Sequence, residues 1–204
     1  MKLVCMSDTH GMHWDIGKVP DGDVLIHAGD FTKRGSKDDV RDFNAWLGTL
    51  PHEYKLVIAG NHDFWLYRNQ AKAQKALSNC VYLQDSFVNI EGLLFYGSPW
   101  TPRFGNWAFM RERGEDLVEK WAQIPSDIDV LITHGPPFGV LDKTARGDYA
   151  GCRDLLDRTA YVENKLHVFG HIHEGYGYDN EDCVNCSICT VTYQPVNRPI
   201  VLEV

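Results

Sequence analysis

Asp8 with His10, Asp30, Asn61 with His62 and Asp63, His134, and His171 with His173 are the residues of this chain that could act together on metal ions. Without His62 and Asp63 the inventory is two carboxylates, one Asn carbonyl and four imidazoles; His62 would be a fifth imidazole. That exceeds the four ligands of a closed structural zinc site, and no Cys belongs to it. Oxygen mixed with imidazole suits Mn, Fe, Zn or Ni better than the all-oxygen shell of Ca. Seven ligands suggest two ions sharing a bridge. Asp8 and His10 are two apart, so on an extended chain both would face one ion; His171 and His173 repeat the spacing.

Five apolar runs place these residues. Leu3-Val4-Cys5-Met6 leads to Asp8, Val24-Leu25-Ile26 to Asp30, and Leu56-Val57-Ile58 to Asn61. Val130-Leu131-Ile132 stops at His134, and Leu166-His167-Val168-Phe169 at His171. Such runs read as fully buried strands, whose far ends form the crevice where α/β sheets bind ligands. Gly29, Gly60 and Gly170 each precede a proposed ligand, where a missing side chain lets backbone approach closely.

The order Asp8-x-His10, Gly29-Asp30, Gly60-Asn61-His62-Asp63, His134, Gly170-His171-x-His173 resembles the calcineurin-like metallophosphoesterase superfamily. Gly97-Ser98-Pro99-Trp100, Thr133-His134-Gly135-Pro136-Pro137 and 194–200 are similar to its small metallophosphoesterase-domain-containing branch, related to class III cyclic nucleotide phosphodiesterases. The resemblance implies a four-layer αββα sandwich, two mixed β-sheets flanked by helices. It implies that Asp8, His10 and His173 hold one ion, that Asn61, His134 and His171 hold a second, and that Asp30 bridges them. His62 would contact the phosphoryl group and protonate the leaving oxygen, with Asp63 orienting it by accepting its other ring proton. Lys33 stands where protein Ser/Thr phosphatases have a second Asp, and Asp63 where they have Glu. Both departures point away from a protein phosphatase.

The expected activity is hydrolysis of small phosphodiesters, cyclic nucleotides foremost, with two divalent ions per chain. Mn is the favoured ion; Fe, Zn, Ni and Mg are alternatives. A two-metal centre ionises water near neutral pH, clamps phosphoryl oxygens and stabilises the leaving charge. With two carboxylates and one hydroxide it carries a formal charge of about +1, which suits a monoanionic diester. Arg34 facing the centre would favour more phosphate charge. The alternatives are a phosphomonoesterase, protein phosphatases included, and a nucleotide-binding or scaffold protein with little turnover.

At 204 residues, 44% hydrophobic and 12% aromatic, the chain can bury a core as one domain over residues 1–204. A formal charge of −8 argues against stable nucleic-acid binding, and no apolar run approaches a membrane span. With a strand expected from residue 2 there is no room for a signal peptide, so the cytoplasm is the expected compartment and six Cys the expected thiols.

Ser36 with Asp38 and Asp39 reads as a helix start; Val40, Phe43, Trp46, Leu47 and Leu50 mark its buried face, and Pro51 closes it. Further helices are expected over 69–77, 111–122 and 151–162, and strands over 81–83, 87–90, 93–96, 190–192 and 200–202. His13, His27, His52 and His167 read as structural. Cys183, Cys186 and Cys189 invite a zinc reading but lack a partner pair. Trp100, Arg103, Phe104, Asn106 and Trp107 occupy a Pro- and Gly-punctuated loop, either a hydrophobic plug or a base-stacking wall, with Trp100, Arg103, Trp107 and Arg34 the candidate substrate contacts.

Overall fold

The computed structural model describes residues 1–180 and 182–204. The strands, in chain order, are β1 (Lys2–Met6), β2 (Val24–Ala28), β3 (Tyr54–Ile58), β4 (Val81–Tyr82), β5 (Ser86–Ile90), β6 (Leu93–Ser98) and β7 (Thr101–Pro102). They continue with β8 (Met110–Arg111), β9 (Val130–Thr133), β10 (Leu166–Phe169), β11 (Gly177–Asp179), β12 (Cys183–Asn185) and β13 (Ile200–Glu203). One sheet runs β13-β1-β2-β3-β4, the other β11-β12-β10-β9-β6-β5, and β7 pairs with β8. The five-stranded sheet is parallel except for β13, and the six-stranded sheet is parallel at its centre with antiparallel β11 and β5 at its margins. The ligand-bearing segments therefore leave five parallel strands at their C-terminal ends, three in one sheet and two in the other.

Alternation within each strand builds the layers. Leu3, Cys5, Val24, Ile26, Leu56 and Ile58 pack with Phe95, Val130, Ile132, Val168 and Val184, filling the space between the sheets. The intervening Val4, Met6, Leu25 and Val57 belong to a second cluster with Val40, Phe43, Trp46 and Leu47 of helix α1 (Lys37–Thr49). Strands β2, β9 and β10 are buried along their whole length, as their unbroken apolar runs require. Beyond the strands, Ser7 N donates to Cys186 O and Ile188 N to Ser7 O, both at 2.9 Å, so the two sheets are laced together at the rim where the ligands emerge.

Ser36 caps α1 through a capping box with Asp39, as expected. The region 69–77 is not one helix. α2 (Phe64–Arg68) ends at Asn69, whose ψ of 40° breaks the helical path, and a 3₁₀ turn at Gln70–Lys72 precedes the single turn of α3 (Ala73–Ala76). α4 (Glu115–Trp121) starts later than expected, because Arg111 is drawn into β8 and Gly114 takes φ 88°. α5 (Arg153–Thr159) is shorter than 151–162. Residues 190–192 form a turn rather than a strand, since Gln194 N returns to Thr190 Oγ1 and Thr190 N to Gln194 O. No helix among the described residues is long and apolar enough to cross a membrane.

His27 and His167 lie inside strands and pair with Thr9 Oγ1 and Thr133 Oγ1; His13 pairs with Asp42 and His52 with the Pro20 carbonyl. All are structural, as expected. Cys183, Cys186 and Cys189 are free thiols and join no metal-binding group among the described residues.

Phe31, which follows Asp30, stacks on Phe43 of α1 at 4.1 Å and 14°, with both rings fully buried. Phe43→Ala should therefore cost about 3–5 kcal/mol of unfolding free energy. It should also loosen the Asp30 segment. Urea unfolding reads the first effect and metal affinity the second; a loss below about 1 kcal/mol would contradict this anchoring.

Candidate metal centre

The ligand segments pair with one another beyond the strands. Asp8 N donates to Gly29 O, His10 N to Asp30 O and Gly11 N to Phe31 O, all at 2.9–3.0 Å. Asp8, His10, Asp30 and His171 all have left-handed backbone, with φ of 52°, 44°, 54° and 69°. The two-residue spacing thus works through turns, not through the extended alternation expected. Such conformations cost on the order of 1–3 kcal/mol per residue and persist where surroundings over-determine them. The glycines are required by contact. A Cβ on Gly60 would lie 2.2 Å from Asp30 Oδ1, and one on Gly170 only 2.1 Å from Asp8 Oδ2.

Three groups of side chains converge: Asp8 with His10 and His173, His10 with Asp30 and His62, and Asp30 with His134 and His171. Asn61 joins the last, its Oδ1 lying 3.0 Å from His134 Nε2. All seven proposed ligands therefore meet, with Asp30 shared by two of the groups.

Tautomers can be assigned from the backbone. His134 Nδ1 donates to Ala28 O and His173 Nδ1 to Thr190 O, each at 2.9 Å. In the neutral imidazoles Nε2 is then a bare acceptor. Yet His173 Nε2 faces Asp8 Oδ1 at 3.3 Å and His10 Nε2 at 3.2 Å, while His134 Nε2 faces Asp30 Oδ2 at 3.4 Å. Acceptors opposing acceptors call for positive charge between them. The donor set, its tautomers and its burial fit divalent cations.

Burial disfavours charge on His134 and His173, but Asp30 and Asp8 respectively outweigh it and push both up to about 9. Burial dominates at His10 and His171, which fall to about 4 and about 3. Burial would raise both carboxyls, yet the histidines beside them hold Asp8 and Asp30 well below the usual range.

Hydrogen bonds fix the carboxylates. Asp8 Oδ2 accepts from Ser7 Oγ, Ser187 Oγ and His171 N at 2.5, 3.0 and 2.9 Å, which leaves Oδ1 for an ion. Asp63 does not orient His62, as the resemblance had implied. Its Oδ2 accepts from Asp30 N and Gly60 N, and its Oδ1 from Thr32 N and Thr32 Oγ1. Four donors use up the carboxylate on the Asp30 loop. The Lys33 carbonyl takes the His62 proton instead, 3.0 Å from Nδ1. Burial and the Asp30 charge push Asp63 up to about 7 against these hydrogen bonds.

The surroundings sort the candidate substrate contacts. A central pocket of about 220 Å³ is lined by His10, His62, His171 and His173 with Trp107, Phe104, Glu174 and Tyr193. Trp107 stacks on His62 at 4.5 Å and 29°. Arg34 lies beyond them with Lys33, Phe64 and Tyr193 in an aromatic groove. Arg103 lies on the opposite side, in a groove bounded by His171. Trp100 is not a substrate contact. It is buried, its indole N–H is bonded to Asp85, and its ring is covered by Arg111 and Lys120 at 4.6 and 4.7 Å. Tyr193 was missed by the sequence reading. The turn at Thr190–Gln194 brings its ring to 4.8 Å from His10 and 5.8 Å from His173, and Pro195 was the only cue that extended structure fails there. Ser7 and Ser187 carried no signal.

The calcineurin-like phosphoesterase family model matches residues 1–175. Human metallophosphoesterase domain-containing protein 1 is 48% identical over 99% of this chain and 70% of its own length. The Caenorhabditis elegans UPF0046 protein K07C11.7 is 42% identical over 100% of this chain and 75% of its own length. TT1561 of Thermus thermophilus shares the fold at a TM-score of 0.60 and 15% identity, covering 90% of this chain and 88% of that one. Since the matched region takes in most of the chain and all seven proposed metal ligands, the chain belongs to the calcineurin-like phosphoesterase family.

Proposed function

We propose that the protein hydrolyses small phosphodiesters, cyclic nucleotides foremost, with two divalent ions per chain and Mn as the favoured metal. Family membership makes it a metal-dependent hydrolase of phosphoester bonds. One observation carries the finer reading: among the described residues no Lys or Arg lines the central pocket, whereas Phe104, Trp107 and Tyr193 rim it. A dianionic monoester gains from a guanidinium clamp. A cyclic diester carries one charge and a flat base, which needs an aromatic surface. The rival, a phosphomonoesterase, draws on Lys33 and Arg34 in the groove beside His62. We assign the whole of 1–204 to one domain working in the cytoplasm, a setting that suits six free thiols.

Asp8, His10 and His173 would hold one ion, Asn61, His134 and His171 the other, and Asp30 both. Bound there, the ions supply Lewis acidity toward phosphoryl oxygens and lower the pKa of water. The protein's own groups set the geometry. Ser7, Ser187 and the His171 amide aim Asp8, and Asp63 clamps the Asp30 loop. His62 has Nδ1–H fixed on the Lys33 carbonyl and one face on Trp107, leaving Nε2 directed at the centre, 3.9 Å from Asp30 Oδ2. Protonated, Nε2 delivers its proton to the departing ester oxygen.

Metal content tests the ligand division. Mn-reconstituted wild type should hold about two ions per chain, Asn61→Ala should keep one tightly, and Asp30→Ala should lose both. A single tight ion in wild type would sink the two-metal reading.

Leaving-group dependence tests His62. His62→Gln should slow alkyl esters by about 10²–10⁴-fold, the usual contribution of a general acid, and nitrophenyl esters much less, at unchanged metal content. Equal losses on both would reduce His62 to a positioning role.

Substrate class is decided by kcat/KM for 2′,3′- and 3′,5′-cyclic nucleotides, nucleoside monophosphates and a nitrophenyl diester. Cyclic nucleotides should lead, and Trp107→Ala should cost them about 1–3 kcal/mol of transition-state stabilisation. Monophosphates outrunning every diester would favour the rival.

A further inference from the structure

A groove of about 560 Å³ opens from the centre on the side away from Lys33 and Arg34. It shares Phe104, His171 and Glu174 with the central pocket, so a ligand seated at the ions can extend into it without leaving the surface. Its distinguishing residues are Arg103, Arg113 and Arg146, set against the acidic Glu174 and Asp148. Three guanidinium groups against two carboxylates leave this groove a slight basic excess in a chain of net charge −8.

Built supports hold this wall. Arg113 donates to the carbonyls of Gly151 and Ala150 at 3.0 and 3.2 Å, which ties the 144–151 loop to the body. Glu174 Oε1 accepts from Ala145 N at 2.7 Å, so this acid is partly spent on anchoring the same loop. Arg103 is paired with Glu112 and held beside the groove. Arg146 forms no ion pair among the described residues and is exposed. A guanidinium fork of this kind recognises phosphate through paired N–H donors.

His62 decides which end of the substrate reaches the arginines. It lines the aromatic groove and the central pocket but not the arginine groove. The leaving oxygen must lie against His62 to take its proton, so the substituent that stays on phosphorus is the one free to turn past His171. The geometry points to a second phosphate subsite: Arg103 and Arg146, with Arg113 behind them, bind a further phosphate carried on the retained substituent of the diester. The substrate class would be nucleotides bearing a second phosphate beyond the ester that is cut. This rests on His62 acting as the acid, as proposed above.

Two measurements on the Mn-loaded protein test it. The first compares kcat/KM for a 2′,3′-cyclic nucleotide with and without a 5′-phosphate on the same sugar. Wild type should favour the bisphosphorylated ester, and Arg103→Gln and Arg146→Gln should each lower that ratio by roughly three- to tenfold, as expected for charged hydrogen bonds at a partly exposed site. The second is calorimetric titration with propane-1,3-bisphosphonate against propylphosphonate, which needs no turnover. The bisphosphonate should bind wild type more tightly, and the advantage should shrink in both variants. Equal affinity for the two probes in wild type, or an advantage that survives in both variants, would overturn the subsite. If neither ester is cut, the diesterase reading fails, while the titration still decides the groove.

Discussion

Lone pairs facing lone pairs are the constraint on which the structure turns. Backbone carbonyls at Ala28 and Thr190 take the Nδ1 protons of His134 and His173, and so force bare nitrogens toward the buried carboxylates of Asp30 and Asp8. Buried charge must be compensated, and only positive charge can sit between such groups. The two carboxylates accordingly push His134 and His173 toward the protonated form. Divalent ions would displace those protons and leave a surplus of positive charge, so metal binding and anion affinity are linked.

Much of the surrounding backbone follows from holding these atoms at contact distance. Four proposed ligands in left-handed conformation do not choose that geometry by propensity; pairing between the 8–11 and 29–31 segments and the Asp63 clamp hold the first three in it. Gly60 and Gly170 supply the missing volume. Behind them, Phe31 and Phe43 transmit the rigidity of α1 to the Asp30 loop. Left-handed ligands that would cost stability in isolation become tolerable because sheet, helix and loop agree on one arrangement.

The centre was legible in the sequence because strands with both faces buried produce unbroken apolar runs, and a polar residue at the end of such a run has few other places to be. The four layers were legible by resemblance, and α1 by its cap and periodicity. Elements with little burial were not. Residues 69–77 have good helix formers but a weak apolar stripe, so Asn69 could interrupt them; 190–192 look β-prone, yet bonds between Thr190 and Gln194 close them into a turn. Second-order contacts were hidden for another reason. Whether Asp63 serves His62 or the Asp30 amide, and whether Trp100 or Trp107 faces the ions, depends on rotamers and loop paths that residue type does not encode.

Selectivity here must act at short range. A chain of net charge −8 repels an anionic ester at a distance, and at physiological ionic strength charges further apart than about 8 Å are largely screened. Long-range steering therefore contributes little, and discrimination falls to what a bound ester meets around the centre. On one side it meets Trp107, Phe64 and Tyr193 with cations at their margin; on the other it meets guanidinium groups interleaved with Glu174 and Asp148. Two chemically unlike grooves flanking one centre favour an asymmetric ester, one end recognised by its flat surface and the other by its charge. A symmetric substrate would leave one of them unused.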